Sequence, residues 1–166
     1  MREVYTDLFV GNQSDYEKIV ANQDGWMILH ACKEPYHRQA LGYSGRAAPR
    51  DNPEYLVARR GNRLILNMVD VDNPNFFDKG MIDAGLNFID EALQNHKKIL
   101  IHCNLGESRS PSIALLYMAS RLGVLPCESL QIAEIEFKKK YPEFNPKPGI
   151  WGFLEKNWDY YCLSTH

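Results

Sequence analysis

An α/β fold, a short and mostly parallel central sheet flanked by helices, is predicted by three features of the 166-residue sequence. The first is a set of brief apolar runs of strand length, Leu8-Phe9-Val10, Trp26-Met27-Ile28-Leu29 and Ile99-Leu100-Ile101. None alternates with polar residues, as expected of strands covered on both faces. The second is a helical period that sets in at Lys79, where Ile82, Gly85, Leu86, Ile89, Ala92 and Leu93 share one face. The third is the order of elements, which alternate as β and α, with strands dominating the first half and helices the second. At this length one core and one domain, residues 1–166, are expected.

The first strand, Leu8-Phe9-Val10, ends at Gly11-Asn12, and Ser14 stands where it would cap a short helix, Asp15 to Ala21. After the strand at Trp26, the segment from Lys33 to Asp51 is polar and carries Gly and Pro, which predicts a long loop with a turn of helix. Tyr55-Leu56-Val57 and Leu64-Ile65-Leu66 flank Gly61-Asn62, a two-residue hairpin signal. Asp72-Asn73-Pro74-Asn75 is a loop. The helix from Lys79 is expected to end at Lys97-Lys98, directly before the strand Ile99–Ile101. A Gly-containing loop follows, and Pro111 suits the first turn of a helix reaching about Leu122. Two more helices, Cys127 to Tyr141 and Pro148 to Tyr160, complete the chain.

Composition removes several classes of function. Hydrophobic residues make up 45% and charged residues 24% of the chain, which excludes bulk disorder. The net charge of −2 argues against nucleic acid or a membrane surface as partner, because either needs excess Lys and Arg. No apolar run approaches the roughly 18 residues of a membrane span. The opening Met1-Arg2-Glu3-Val4-Tyr5-Thr6-Asp7 lacks the build of a secretory signal, so a cytoplasmic monomer is expected. Cys32, Cys103, Cys127 and Cys162 form no CxxC pair and no zinc spacing with the five histidines. No metal, organic cofactor or disulfide framework is expected.

One segment carries chemistry. His102-Cys103-Asn104-Leu105-Gly106-Glu107-Ser108-Arg109-Ser110 lies where strand gives way to helix. A loop there turns several backbone N–H groups inward, and the helix N-terminus adds partial positive charge. Gly106 lets the turn tighten so that the N–H groups of Asn104, Leu105, Gly106, Glu107 and Ser108 converge on one centre. Arg109 closes the ring with a planar fork suited to two phosphate oxygens. Cys103 starts this anion cradle, in surroundings that favour the nucleophilic thiolate. A nucleophile beneath a bound tetrahedral anion points to attack at phosphorus. The competing reading of Cys103, a small buried hydrophobe, explains neither the arginine nor the glycine.

His102-Cys103-x5-Arg109-Ser110 resembles the signature loop of the cysteine-dependent protein phosphatases. Phe88-Ile89-Asp90-Glu91-Ala92-Leu93 and Ser110-Pro111-Ser112 extend the resemblance to their small dual-specificity branch. It implies that branch's α/β fold and hydrolysis of phosphomonoesters through a phosphocysteine. It also implies a general-acid Asp on a loop about thirty residues before the cysteine. Asp70 and Asp72 lie there, and an ungapped run backward from Phe88-Ile89 selects Asp72. Asp70 is also nearer the strand end at Met68-Val69. Ser110 is implied to hydrogen-bond the sulfur and ease its departure; as a residue it also reads as a helix N-cap. His102 is expected to orient the loop backbone, and the side chains of Asn104, Leu105, Glu107 and Ser108 to line the rim.

Two departures from that pattern stand out. In Phe144-Asn145-Pro146-Lys147-Pro148-Gly149, Lys147 occupies a place where many members carry Asn. Lys33 to Arg63 is long and basic, with Lys33, Arg38, Arg46, Arg50, Arg59, Arg60 and Arg63 set against Glu34, Asp51 and Glu54. That segment either draws in an anionic substrate or is a solvated loop. Leu29-His30-Ala31-Cys32-Lys33-Glu34-Pro35 resembles a strand end of the tumour-suppressor type of phosphoinositide phosphatase, whose cysteine there pairs with the catalytic one on oxidation. A strand at Trp26 parallel to Ile99–Ile101 would itself deliver Cys32 to the edge that carries Cys103. A buried cysteine without redox role is the simpler alternative.

The expected partner is a phosphorylated protein or another phosphomonoester. Rival readings are a phosphoinositide, RNA 5′-phosphate or small-molecule phosphatase, a rhodanese-like sulfurtransferase, and a phosphate-binding module without turnover. Glu107 inside the loop weighs against highly anionic headgroups. Ser110 after Arg109 and a separate acid weigh against sulfur transfer, and the intact nucleophile weighs against a pure binder.

Overall fold

The computed structural model describes residues 1–163. Its strands are β1 (Arg2–Tyr5), β2 (Leu8–Gly11), β3 (Trp26–His30), β4 (Val57–Arg60), β5 (Arg63–Leu66) and β6 (Lys98–His102). Its helices are α1 (Gln13–Lys18), α2 (Tyr36–Leu41), α3 (Lys79–Gln94), α4 (Arg109–Ser120), α5 (Leu130–Lys140) and α6 (Pro148–Leu163), with short 3-10 turns at Val20–Asn22 and Pro74–Phe76. One sheet runs in the order β1-β2-β6-β3-β5-β4. Its inner four strands are parallel, and β1 and β4 close the two edges antiparallel.

The two faces of this sheet differ in kind. Met27, Leu29, Leu64, Leu66, Ile99 and Ile101 join the main core beneath α3, α4, α5 and α6. Their strand neighbours Trp26, Ile28 and Leu100 face the other way, toward the Tyr16 ring of α1. Ile65, on that same face, packs with Cys32, Tyr36 and Cys103 near α2. Burial on both sides is what the unbroken apolar runs required, and Ile99, Leu100 and Ile101 are completely buried. α4 is buried along its whole length, so it is the central helix of the layered stack.

Several elements differ from the sequence expectation. β4 spans Val57–Arg60 rather than Tyr55–Val57, so it runs directly into the Gly61-Asn62 turn. α1 begins at Gln13 and is capped by Asn12 rather than by Ser14: Asn12 accepts from the Asp15 N–H, and the Asp15 carboxylate accepts from the Asn12 N–H. α3 stops at Gln94 rather than at Lys97-Lys98, because His96 adopts a left-handed φ of 54° that turns the chain back into β6. α5 begins at Leu130 behind the cap Ser129, so Cys127 lies on the connection, where its thiol donates to the Ala119 carbonyl. β1 has no apolar run to reveal it. Its residues are mostly exposed, and it is held by pairing with β2, by Val4 in the core and by the Arg2–Glu143 ion pair.

The C-terminal helix fixes the loop after β5. Gly149, in the first turn of α6, lies so close to Val71 that an added Cβ would sit 1.9 Å from the Val71 carbonyl oxygen. Gly149→Ala must therefore displace the 69–72 segment or the helix, and overpacking of this kind costs about 1–3 kcal/mol. The expected outcome is a lower urea midpoint with an unchanged slope, read by equilibrium unfolding against the unmutated chain.

Candidate active site

β6 and β3 run parallel and end together, and the chain leaves β6 directly into the loop that starts at Cys103. Cys103 is 2% exposed. Its Sγ lies 3.2 Å from Ser110 Oγ and accepts from the Gly106 N–H at 3.3 Å. The Ser110 hydroxyl also reaches the Gly11 carbonyl at 3.2 Å, so its single proton is available to either the sulfur or that oxygen. Ser110 lies within the first turn of α4. The N-cap position is held by Ser108, whose hydroxyl accepts from the Lys147 N–H.

The loop carbonyls are engaged from outside. That of Cys103 accepts from His102, and that of Asn104 from the Gln13 N–H. Those of Gly106 and Glu107 accept from the Tyr141 hydroxyl at 2.6 Å and from the Asn145 N–H at 2.8 Å. In a trans peptide the next residue's N–H points the opposite way, so the N–H groups of Asn104, Leu105, Glu107 and Ser108 turn toward the loop's centre. Gly106 allows this with a φ of 73°, and a Cβ there would meet the Gly11 carbonyl oxygen at 2.9 Å.

Arg109 is 6% exposed. Nη1 donates to the Met68 carbonyl at 2.8 Å and Nη2 to Asn104 Oδ1 at 2.7 Å. Among the described residues its buried Nε–H has no acceptor. A buried guanidinium with an unused donor beside inward N–H groups is a site for an anion. Asn104 is committed to this placement, since its amide also donates to Gln13 Oε1 and the Glu34 carbonyl. Thus Asn104 and Ser108 turn inward, and only Leu105, 69% exposed, and Glu107 stand on the rim as expected.

The two acid candidates separate. Asp70 lines the cleft together with Cys103, Leu105, Glu107, Ser108, Arg109, Asn145 and Lys147. Its Oδ2 is 3.4 Å from Lys147 Nζ, and its Oδ1 is buried with no partner among the described residues. Asp72 is exposed and is not among the residues of that cleft. The backward count from Phe88-Ile89 stops at Asp72, two residues short of the aspartate that lines the cleft. α6 presses on Val71, between the two aspartates, and the chain bends at Asp72. Lys147, where many family members have Asn, is the ion partner of Asp70.

Cys32 is fully buried in the cluster that contains Cys103, and burial pushes its thiol up to about 12. The basic segment is largely consumed internally. Arg38 pairs with Glu34, Arg60 with Glu54 and Arg59 with Glu91, while Arg63 turns onto His30. Two larger clefts, of about 550 and 530 Å³, open at the opposite end of the sheet around Asp7 and Gly25 and are lined by no cysteine.

Comparison with known proteins agrees with this geometry. The family profile of the dual specificity phosphatase catalytic domain matches residues 50–157. The sequence is 31% identical over 86 residues to dual specificity protein phosphatase 1 of Arabidopsis thaliana, covering 52% of this chain and 40% of that protein. It is 29% identical over 123 residues to dual specificity protein phosphatase 9 of Homo sapiens, covering 62% and 32%. The chain thus spans less than half the length of either curated relative. In fold it is similar to the human tyrosine phosphatase-like serine/threonine/tyrosine-interacting protein, with a TM-score of 0.67, 21% identity and 97% of each chain covered. With a profile match over more than half of its residues, ending just past the cleft and its C-terminal support, the chain belongs to the dual specificity phosphatase catalytic-domain family.

Proposed function

We propose that the chain hydrolyses phosphomonoesters, with a phosphorylated protein side chain as substrate class. The observation that carries this reading is the buried Cys103 thiol beneath inward N–H groups and the unpartnered Nε–H of Arg109. The Cys103 thiolate attacks phosphorus and the bond to the leaving oxygen breaks as that oxygen takes a proton from Asp70. Water then attacks the phosphocysteine and gives its proton to the Asp70 carboxylate. The P–S bond breaks, and Ser110 and the Gly106 N–H receive the departing thiolate. Asp70 thus takes the role that the ungapped count gave to Asp72. Lys147 steadies the Asp70 carboxylate between the two steps.

Fold alone does not separate an enzyme from a binder, since one fold neighbour is itself described as an interacting protein. A nucleophile hydrogen-bonded by Ser110 favours turnover, because a binder has no use for it. The negative rim charge of Glu107 favours protein phosphoesters over polyanionic headgroups. The four free cysteines support a cytoplasmic location, and the chain acts as a monomer in this reading.

Cys103→Ser is expected to abolish hydrolysis of an aryl phosphate while orthophosphate still binds; turnover near the unmutated level would overturn the mechanism. Arg109→Lys should lose most activity too, because an ammonium cannot reproduce the planar fork. Asp70→Asn should slow substrates with poor leaving groups by about 10²- to 10⁴-fold and barely affect those whose leaving group needs no proton. Asp72→Asn should do neither, as read from steady-state rates across a leaving-group series.

We propose in addition that Cys32 captures oxidised Cys103. Peroxide converts the Cys103 thiolate to a sulfenic acid, releasing hydroxide. The Cys32 sulfur attacks the Cys103 sulfur, the S–O bond breaks, the leaving hydroxide takes the Cys32 proton to form water, and a disulfide results. With its thiol pushed up to about 12, Cys32 attacks slowly and competes with further oxidation of Cys103. Dithiothreitol should therefore restore activity after mild peroxide, in a fraction that falls as peroxide rises, and should restore much less in Cys32→Ser. Mass spectrometry should find the linked Cys32–Cys103 peptide.

A further inference from the structure

Arg63, His30 and His102 lie on the same face of three adjacent strands. The register sets His30 beside His102, and Arg63 beside Ile28, two residues before His30. Both histidines are completely buried. Arg63 Nε is 2.9 Å from His30 Nε2, His30 Nδ1 is 2.6 Å from His102 Nε2, and His102 Nδ1 is 3.2 Å from the Cys103 carbonyl oxygen. We infer that Arg63 and His30 are positioning residues, which fix the tautomer of His102 and through it the orientation of the Cys103–Asn104 peptide in the anion loop. The inference rests on the reading of that loop as the phosphate site.

The chain of contacts runs in one direction only. A guanidinium donates and never accepts, so His30 Nε2 must be the acceptor and the His30 proton sits on Nδ1. That proton points at His102 Nε2, which is therefore an acceptor as well. The His102 proton then sits on Nδ1 and donates to the Cys103 carbonyl, which can only accept. Donor at one end and acceptor at the other leave a single arrangement with one hydrogen in each contact. A second proton on either ring would set two hydrogens against each other. Burial and the nearby guanidinium oppose it, holding His30 well below the usual histidine range and His102 at about 4.

The rings are held as well as the protons. Tyr16 stacks on His102 with centroids 5.1 Å apart and planes 4° from parallel, and Tyr36 stacks on His30 at 4.3 Å. Without Arg63, the opposite arrangement becomes available: His30 protonated on Nε2, His102 donating to it, and a bare His102 Nδ1 lone pair facing the Cys103 carbonyl. That repulsion would rotate the peptide and turn the Asn104 N–H away from the loop's centre. Arg63 makes the two directions unequal.

The tautomers are read without turnover by long-range ¹H–¹⁵N correlation in histidine-labelled protein. The expected result is two neutral rings, each with its proton on Nδ1. Arg63→Met should shift both toward the other tautomer and lower kcat for an aryl phosphate by about 10- to 100-fold, the scale on which small misplacements act. His30→Leu, which removes the donor to His102, should do the same. His30→Asn presents an amide N–H to His102 whatever occupies position 63, so it should recover most of the kcat lost in His30→Leu. In that background Arg63→Met should cost less than about twofold, a coupling expected of residues in one network. A proton on His102 Nε2 in the unmutated protein would overturn the inference. So would an Arg63→Met penalty of equal size in both backgrounds. Should Arg63→Met fail to fold, the spectrum of the unmutated protein and the two His30 variants decide. Activity surviving in Cys103→Ser would overturn the function and leave the tautomers as they are, so the two failures are distinguishable.

Discussion

A trans peptide points its N–H and its C=O in opposite directions, and the surroundings of Cys103 are organised by that constraint. Four loop peptides can aim N–H groups at one centre only if their carbonyls face outward, and a buried carbonyl needs a donor of its own. The donors come from distant parts of the chain: Gln13 from the start of α1, His102 from the end of β6, and Tyr141 and Asn145 from the segment before α6. The loop is therefore shaped by the fold as a whole. Its own sequence contributes mainly the two residues that no substitute matches, Gly106 for its φ and Arg109 for its fork.

The sheet divides its labour by parity. Residues 27, 29, 64, 66, 99 and 101 supply an apolar face to α3–α6, and the alternate residues face α1 and α2. The buried polar network lies on the second face, where Arg63, His30 and His102 meet with every ring nitrogen engaged. A fully paired buried network of this kind is tolerated at low cost, whereas one missing donor would leave a polar atom stranded. Its place beside the nucleophile joins the stability of the sheet to the shape of the site.

Strands β2, β3, β5 and β6 were legible in the sequence because burial on both faces leaves a compositional trace, and the phosphate loop because glycine and arginine are each demanded by local geometry. Less legible was whatever depends on the path of a loop or on register across strands. Spacing selects Asp72, whereas the path of the loop, held where Gly149 meets Val71, places Asp70 in the cleft. His30 reads as an ordinary strand end until the register sets it beside His102. Asn104 and Ser108 read as rim residues because nothing local shows that Arg109 and Lys147 need their side chains. The caps followed the same rule: Asn12 outcompeted Ser14 because Asp15 lies three residues beyond it and completes the reciprocal pair.

The stretch from Tyr141 to Gly149 touches both halves of the apparatus. It bonds the outer side of the anion loop through Tyr141, Asn145 and Lys147, and it holds Asp70 through Lys147 and the contact of Gly149 with Val71. These two halves are far apart in sequence and share no strand or helix. One peptide bond broken in this stretch would therefore loosen the surroundings of Cys103 and of Asp70 together. Limited proteolysis there would leave no form that keeps the cradle around Cys103 while Asp70 is released, and the two sides of the cleft would be lost in the same proportion as molecules are cut.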